Sequence, residues 1–531
     1  MPEGKIEPRL PQIGRLLELP EISAYFPVIS RTLAAQAVSL SIGRARERIL
    51  AGGTAPSEEE AIAEAERACA ALAARRLRRT LNGTGVLLHT NLGRSPIAAA
   101  SWDAAREVNA GYCNVELELD SGERGGRGGL VALLAAQLAG ADSAIALNNN
   151  AGALLLALSA LASGREVVVS RGEQVQIGGG FRIPEILALS GARLVEVGTT
   201  NVTTVKDYVE AIGPDTAAVL CVHASNFAIR GFSEKPSLAR LAAALPQGLP
   251  LIVDQGSGCH AEGLPGEVPL GRLIRDGASL VCFSCDKLLG GPQAGVAAGK
   301  FALVARMAAH PLARALRPGK TILSLLEDRL VRALNGEAGA AAPPGLAELE
   351  SYGKRVMRKL PAGRFRLAAS VGTTGGGSSP DEGFDSRALE LLPEVAAAAG
   401  GAERVRAALR AGDPPLIAAM RDGELRVDLA GLLAEDPAEI ASLLASVLPP
   451  EDPSAAEAPP RRGRPAGSDR KRRAGRAKEK SPREEPREEP PAEPPAEPHE
   501  EPLIEPLDAA FDAPERGLLA RALDVESREG T

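Results

Sequence analysis

Lys287 stands where an apolar run, residues 280–283, gives way through Ser284-Cys285-Asp286 to a glycine-rich turn, Gly290-Gly291-Pro292-Gln293-Ala294-Gly295. The run reads as a buried strand. An ammonium resists desolvation, so burial lowers its pKa and frees the amine as a nucleophile. A second apolar run, 251–253, ends in Asp254. An amine at one strand end and a carboxylate at another fit one chemistry well. The amine closes a Schiff base and the carboxylate keeps a heterocyclic nitrogen protonated, which is what pyridoxal 5'-phosphate requires. Taken alone, Lys287 also reads as a surface lysine after a strand. Asp254 turns the reading toward the cofactor.

The elements that must position these groups follow from the pattern between residues 144 and 283. Strands read at 144–147, 166–170, 193–197, 217–222, 251–253 and 280–283, with helices such as 151–162 and 183–190 between them. This alternation predicts an α/β fold with a mostly parallel sheet wrapped by helices. Ligands in such sheets bind beyond the carboxyl ends of the strands. Nearly every strand there ends in polar or glycine-rich residues: Asn148-Asn149-Asn150, Ser170-Arg171-Gly172-Glu173, Gly198-Thr199-Thr200-Asn201, His223, Asp254, and Ser284 with Lys287. Asn149, Asn150 and Ala151 open a helix, and a helix N-terminus binds phosphate through free N–H groups. We assign that end to the cofactor phosphate, with Ser284 as a second donor and His223 as a further cofactor contact. Asn at this place is also an ordinary N-cap, which is compatible with that role.

Upstream, residues 10–79 read as helical. Ala34, Val38, Ile42, Ala45 and Ile49 share one face, and Ser57 with Glu60 forms a capping box after Gly52-Gly53. Arg31, Arg44, Arg46, Arg48, Arg75, Arg76, Arg78 and Arg79 gather here. They suit either a solvated helix surface or contacts to a phosphate backbone. Residues 81–96 carry turn glycines, a short apolar strand and Arg94. Residues 111–129 form a loop rich in glycine and arginine, where backbone can approach an anion closely and arginine forks can hold it. Downstream, Arg314 and Arg317 lie one helical turn apart. A smaller α+β domain spans 336–448, with a hairpin turning on Asp422-Gly423. From Pro449 the chain becomes basic and then repeats Glu-Pro units, a composition that predicts disorder. Within it, Arg462-Gly463-Arg464-Pro465 weakly resembles a minor-groove hook, and the tail is read as a tether.

The 531 residues suffice for two or three domains, and a net charge of −7 does not by itself indicate nucleic acid. The six cysteines show no framework spacing. Cys282-Phe283-Ser284-Cys285 has no second pair to complete a zinc site, so no metal is expected. Neither a signal peptide nor an apolar run of membrane-spanning length is read, and a reducing cytoplasm is the expected compartment.

The assembled motifs resemble bacterial selenocysteine synthase, the L-seryl-tRNA(Sec) selenium transferase family. They are Gly85-Val86-Leu87-Leu88-His89-Thr90-Asn91-Leu92-Gly93-Arg94, Asn148-Asn149-Asn150-Ala151, Ser170-Arg171-Gly172-Glu173 and Phe181-Arg182-Ile183-Pro184. Glu196-Val197-Gly198-Thr199-Thr200-Asn201, Ser225-Asn226-Phe227, residues 286–295 and His310-Pro311-Leu312 through Arg317 continue them in the family's order. The likeness runs from about residue 10 to about residue 448.

The resemblance implies a fold-type-I pyridoxal phosphate enzyme. It implies a helical tRNA-binding domain at 1–79, a large cofactor domain at 80–335, a small domain at 336–448 and a tail at 449–531. It also implies a homodecamer that converts seryl-tRNA(Sec) to selenocysteinyl-tRNA(Sec) with selenophosphate through an aminoacrylyl intermediate. Lys287 then matches the Schiff-base lysine, and Arg94, Arg314 and Arg317 match arginines that hold the selenium donor. The chain departs from the family pattern at Cys285, where Gly is usual, and at Val202-Thr203-Thr204, where Arg-Thr-His is usual. It departs again around Gly128 in the glycine–arginine loop and at Cys259-His260. Two other readings stand beside this one. One is a related pyridoxal phosphate lyase acting on a small amino acid or amino sugar. The other is a catalytically silent tRNA-binding paralogue.

Overall fold

The computed structural model describes residues 10–449, apart from 178–179, 224–228, 230, 265, 340–341 and 376–382. Ser225-Asn226-Phe227, and the tail after Pro449, lie outside the described residues. The chain divides into two compact units, with a boundary between Arg78 and Arg79.

The first unit is helical through its described part. Helices Ile13–Leu17, Pro20–Ser23 and Phe26–Ile29 precede the long helices Arg31–Leu50 and Glu58–Ala74. Ala34, Val38, Ile42 and Ala45 are buried along one face of the first long helix, as their spacing predicts. Ser57 accepts from the Glu60 amide at 3.1 Å, and the Glu60 carboxylate accepts from the Ser57 amide at 2.7 Å, closing the capping box. Arg31 pairs with Glu18 and Arg48 with Glu64. Arg46, Arg75 and Arg76 are exposed.

The second unit holds two sheets. The larger has seven strands in the spatial order Ser143–Leu147, Gly295–Gly299, Leu280–Ser284, Leu251–Asp254, Thr216–Val222, Glu166–Ser170, Arg193–Val197. Six of these are the strands expected from the sequence, within a residue at each end. The inner strands are buried on both faces and rich in Val, Ile and Leu, as strands covered by helices must be, whereas the edge strands Ser143–Leu147 and Arg193–Val197 are only partly buried. The seventh, Gly295–Gly299, was not legible as a strand. It runs antiparallel between Ser143–Leu147 and Leu280–Ser284. Helix Asn150–Ala162 packs Leu154, Leu158 and Leu161 into one core against the sheet. Helices Val131–Ala139 and Lys320–Leu334 close another core with Val281, Phe283 and Val296.

The smaller sheet has five strands in the order Leu81–Gly83, Leu416–Arg421, Glu424–Asp428, Gly383–Leu391, Phe365–Thr373. Asp422 and Gly423 both take positive φ, at 54° and 78°, so the two-residue turn matches the twist of its hairpin. Strand Leu81–Gly83 pairs parallel to Leu416–Arg421. The apolar stretch at Val86-Leu87-Leu88, expected as a strand, contributes only an isolated bridge from Val86 to Thr373. Among the described residues no helix is long and apolar enough to cross a membrane.

Candidate active site

The lysine strand, Leu280–Ser284, and the aspartate strand, Leu251–Asp254, are neighbours, with Asp254 opposite Cys282. Both charged groups are taken out of water: Lys287 is 7 % exposed and Asp254 3 %. Burial pulls the Lys287 amine below its usual pKa, and the Arg94 guanidinium adds to that. Asp254, Asp286 and Glu267 act in the opposite direction. Burial pushes the Asp254 carboxyl up, against a hydrogen bond from Asn150 and the charge of Lys287.

Helix Asn150–Ala162 brings its N-terminus to this point. Asn149 caps it, accepting from the Gly152 amide at 2.8 Å. Asn150 turns its side chain inward and donates Nδ2 to the Asp254 carboxylate at 2.7 Å. Gly295 makes the approach possible: a Cβ there would fall 2.2 Å from the Asn149 carbonyl. Gly258, at φ 72°, passes the lysine strand equally closely, since its Cβ would meet the Ser284 carbonyl at 2.2 Å.

His223 follows strand Thr216–Val222, and its amide donates to the Asp254 carbonyl at 2.9 Å. Its Nε2 lies 3.2 Å from the Gly266 carbonyl, so the ring is a donor there. Burial lowers its pKa and keeps the imidazole neutral. The Ser284 hydroxyl donates to Asp286 Oδ1 at 2.7 Å. Asp286 Oδ2 accepts from Arg94 Nη1 at 2.7 Å, and the Asp286 carbonyl accepts from the Ser95 amide at 3.2 Å. Arg94 itself sits at φ 64°. The turn after Lys287 is pinned by the buried Arg329, which donates Nε to the Leu289 carbonyl at 2.6 Å. The Leu288 amide bonds the Ser257 carbonyl at 3.0 Å.

Lys287, Asp254, Asn149, Asn150, Ala151, His223 and Ser284 therefore lie at the carboxyl ends of strands of one sheet. The three arginines are distributed differently. Arg94 is held on Asp286, beside Lys287. Arg317 reaches Glu116 at 3.3 Å, where Arg127 at 2.6 Å and Arg124 at 2.8 Å also bind. Arg314 is exposed at the end of helix Pro311–Ala315. The Leu316 carbonyl accepts from the Asn148 amide at 2.8 Å, which ties the Arg317 segment to the start of the asparagine helix.

Sequence reasoning did not single out Glu116, Glu267 or Gln255. Glu267 accepts from the Ser257 hydroxyl at 2.6 Å, leaves its buried Oε1 without a partner, and is pushed up to about 7 by burial. Gln255 ties the Cys259 and Val268 carbonyls together through Nε2. Only Arg124 and Arg127 had a signal, in the glycine–arginine loop.

The donor set suits a phosphorylated pyridine aldehyde. Asn150 Oδ1 and His223 Nδ1 are buried polar atoms without partners, as a site built around a polar ligand leaves them. A helix N-terminus, a buried acid and a desolvated amine complete it.

Comparison with known proteins agrees. Residues 80–433 match the family described as L-seryl-tRNA selenium transferase. The L-seryl-tRNA(Sec) selenium transferase of Solidesulfovibrio magneticus is 39 % identical over 463 residues, covering 83 % of this chain and 98 % of the relative. That of Moorella thermoacetica is 43 % identical over 389 residues, covering 70 % of this chain and 82 % of the relative. Among solved structures, D-glucosaminate-6-phosphate ammonia-lyase shares the fold, with a TM-score of 0.51 and 22 % identity over 70 % of this chain and 96 % of that one. With its α/β architecture and a family match running through both sheets, the chain belongs to the L-seryl-tRNA selenium transferase family.

Proposed function

We propose that this chain converts seryl-tRNA(Sec) to selenocysteinyl-tRNA(Sec) with selenophosphate, using pyridoxal 5'-phosphate. The observation that carries the reading is the buried Lys287 amine on the strand next to Asp254, with the Asn150 helix N-terminus bonded to that acid. When bound, the cofactor supplies the electron sink that lets the α-proton and then the β-hydroxyl of the seryl group depart.

The chain's own residues do the rest. Lys287 would hold the cofactor, and its amine is the group placed to take the α-proton. Its depressed pKa keeps the amine unprotonated near neutral pH more often than a surface lysine's. Asp254 holds a proton on the pyridine nitrogen. The pyridinium charge offsets the burial that otherwise favours the neutral acid, and Asn150 fixes the carboxylate's orientation. Asn149, Asn150 and Ala151 present the helix end to the phosphate. His223, its pKa lowered by burial and its ring held by the Gly266 carbonyl, would be a further contact for the cofactor. Ser284 acts through Asp286, orienting the carboxylate that positions Arg94.

Arg94, Arg314 and Arg317 hold the selenophosphate, whose oxygens suit guanidinium forks. The helical segment 1–79 binds the tRNA, the chain works in the cytoplasm as a homodecamer, and the tail is a tether. The test is transfer of selenium from selenophosphate to purified seryl-tRNA(Sec). Formation of selenocysteinyl-tRNA is expected. Turnover of a small amino acid instead would place the chain with the lyases.

A further inference from the structure

A cavity of about 470 Å³ opens beside Arg94, the arginine assigned above to the selenophosphate. Its wall includes Leu92, Pro96, Pro344 and Leu433, together with Arg94 and Trp102. Trp102 lies on helix Ala99–Ala110 and is 48 % exposed. An indole left half in water is a ready plate for another flat ring. Arg94 is tied on one side, with Nη1 on Asp286. Its guanidinium is a fork of five donors and keeps part of its surface open.

The cavity wall also touches the reaction. Ser95, another lining residue, donates its amide to the carbonyl of Asp286, the residue before Lys287. The cavity wall is therefore bonded to the turn that carries the reactive amine.

We propose that this cavity receives the 3'-terminal adenosine of the aminoacyl-tRNA, its base against Trp102. This rests on the reading above that the substrate is an aminoacyl-tRNA. The serine of such a substrate is esterified to the ribose of the last nucleotide. Its amine must reach Lys287 while the base stays one sugar away. The last nucleotide thus needs an aromatic or apolar plate within reach of the lysine. Arg94 is kept for the selenophosphate, and the indole and prolines suit a purine. The occupant is nucleoside-sized, since pockets of this volume hold molecules of that class.

Trp102 is the single tryptophan in the chain, so its fluorescence reports on this cavity alone. The experiment titrates the full-length, cofactor-loaded protein with the trinucleotide CCA and, separately, with CCC. We expect a saturable change in Trp102 emission with CCA, at least about tenfold weaker with CCC, and competed by uncharged tRNA. Trp102→Ala should raise KM for seryl-tRNA by about ten- to hundredfold, with kcat and the cofactor spectrum retained. Trp102→Phe should recover most of the loss, because a ring still stacks.

If CCA leaves the emission unchanged while the protein transfers selenium normally, the adenosine assignment is wrong and the functional reading stands. If emission changes only on subunit dilution, the cavity is covered by a second copy of the chain and the assignment again fails. If CCA shifts the emission but no seryl-tRNA is turned over, the nucleotide site holds and the reaction assignment fails.

Discussion

The Asn150 side chain donates to the Asp254 carboxylate at 2.7 Å, and so binds the first turn of a helix to the end of the aspartate strand. One bond thereby joins the element suited to a phosphate and the element suited to a ring nitrogen. Asn150→Ala should therefore weaken turnover without releasing the cofactor. Without its donor, the buried Asp254 holds a negative charge less readily. A hydrogen bond to a charged group is worth about 1.5–3 kcal/mol, so a drop in kcat of roughly ten- to hundredfold is expected. Steady-state kinetics beside cofactor absorbance checks this. Cofactor loss at unchanged kcat would mean that Asn150 serves the phosphate alone.

Arg314 tests the selenium donor. Arg314→Gln should leave elimination from seryl-tRNA intact and slow selenium addition by about ten- to hundredfold. Single-turnover rates of the two half-reactions separate these effects. Equal loss in both would show that the arginine serves the tRNA or the fold.

The helical unit is expected to carry much of the tRNA affinity. Protein lacking residues 1–79 should retain cofactor and lose tRNA binding, and the intact chain's affinity should fall linearly on a log–log plot against salt. Filter binding over a salt series measures both. Salt-independent binding would contradict a phosphate-contact role for the exposed arginines.

Two half-buried carboxyls make stability depend on pH. Burial pushes Glu267 and Glu173 up to about 7 from 4.5. Each therefore binds its proton more tightly in the folded state than in the unfolded chain. The stability they contribute is fully present below about 4.5 and is lost as pH rises through about 7. Glu267→Gln keeps an acceptor for Ser257 and removes the titration. It should make the protein more stable at pH ~8 than the parent, by about 2–3 kcal/mol, with little difference at pH ~5. Chemical denaturation at the two pH values gives the answer. A parent whose stability does not fall across that range would contradict the buried-acid assignment.

How far the sequence disclosed all this can be judged at particular residues. Strands 166–170 and 193–197 were legible to the residue, because their apolar runs end in polar turns. Lys287 and Asp254 were legible for the same reason. Strand Gly295–Gly299 was hidden by its composition, Gly-Val-Ala-Ala-Gly, which reads as more of the preceding turn. Its first glycine is demanded by the Asn149 carbonyl, a contact between segments distant in the chain. The pairing of Leu81–Gly83 with Leu416–Arg421 is likewise long-range, and no local pattern encodes it. Around the arginines, Glu116 gave no signal, since it is one of four acids in the loop and looks like any solvated residue. Only the fold shows three guanidinium groups gathered on it.

The central claim is that Lys287 drives selenium transfer to serine carried on tRNA. Its most direct test is one assay with cofactor-loaded protein, radiolabelled selenophosphate and seryl-tRNA(Sec), run on the parent and on Lys287→Ala. The account predicts labelled selenocysteinyl-tRNA from the parent, none above background from the variant, and a borohydride-fixed cofactor on residue 287 of the parent only. Label transfer by Lys287→Ala at the parental rate, or none by a parent whose cofactor is fixed on Lys287, would contradict it.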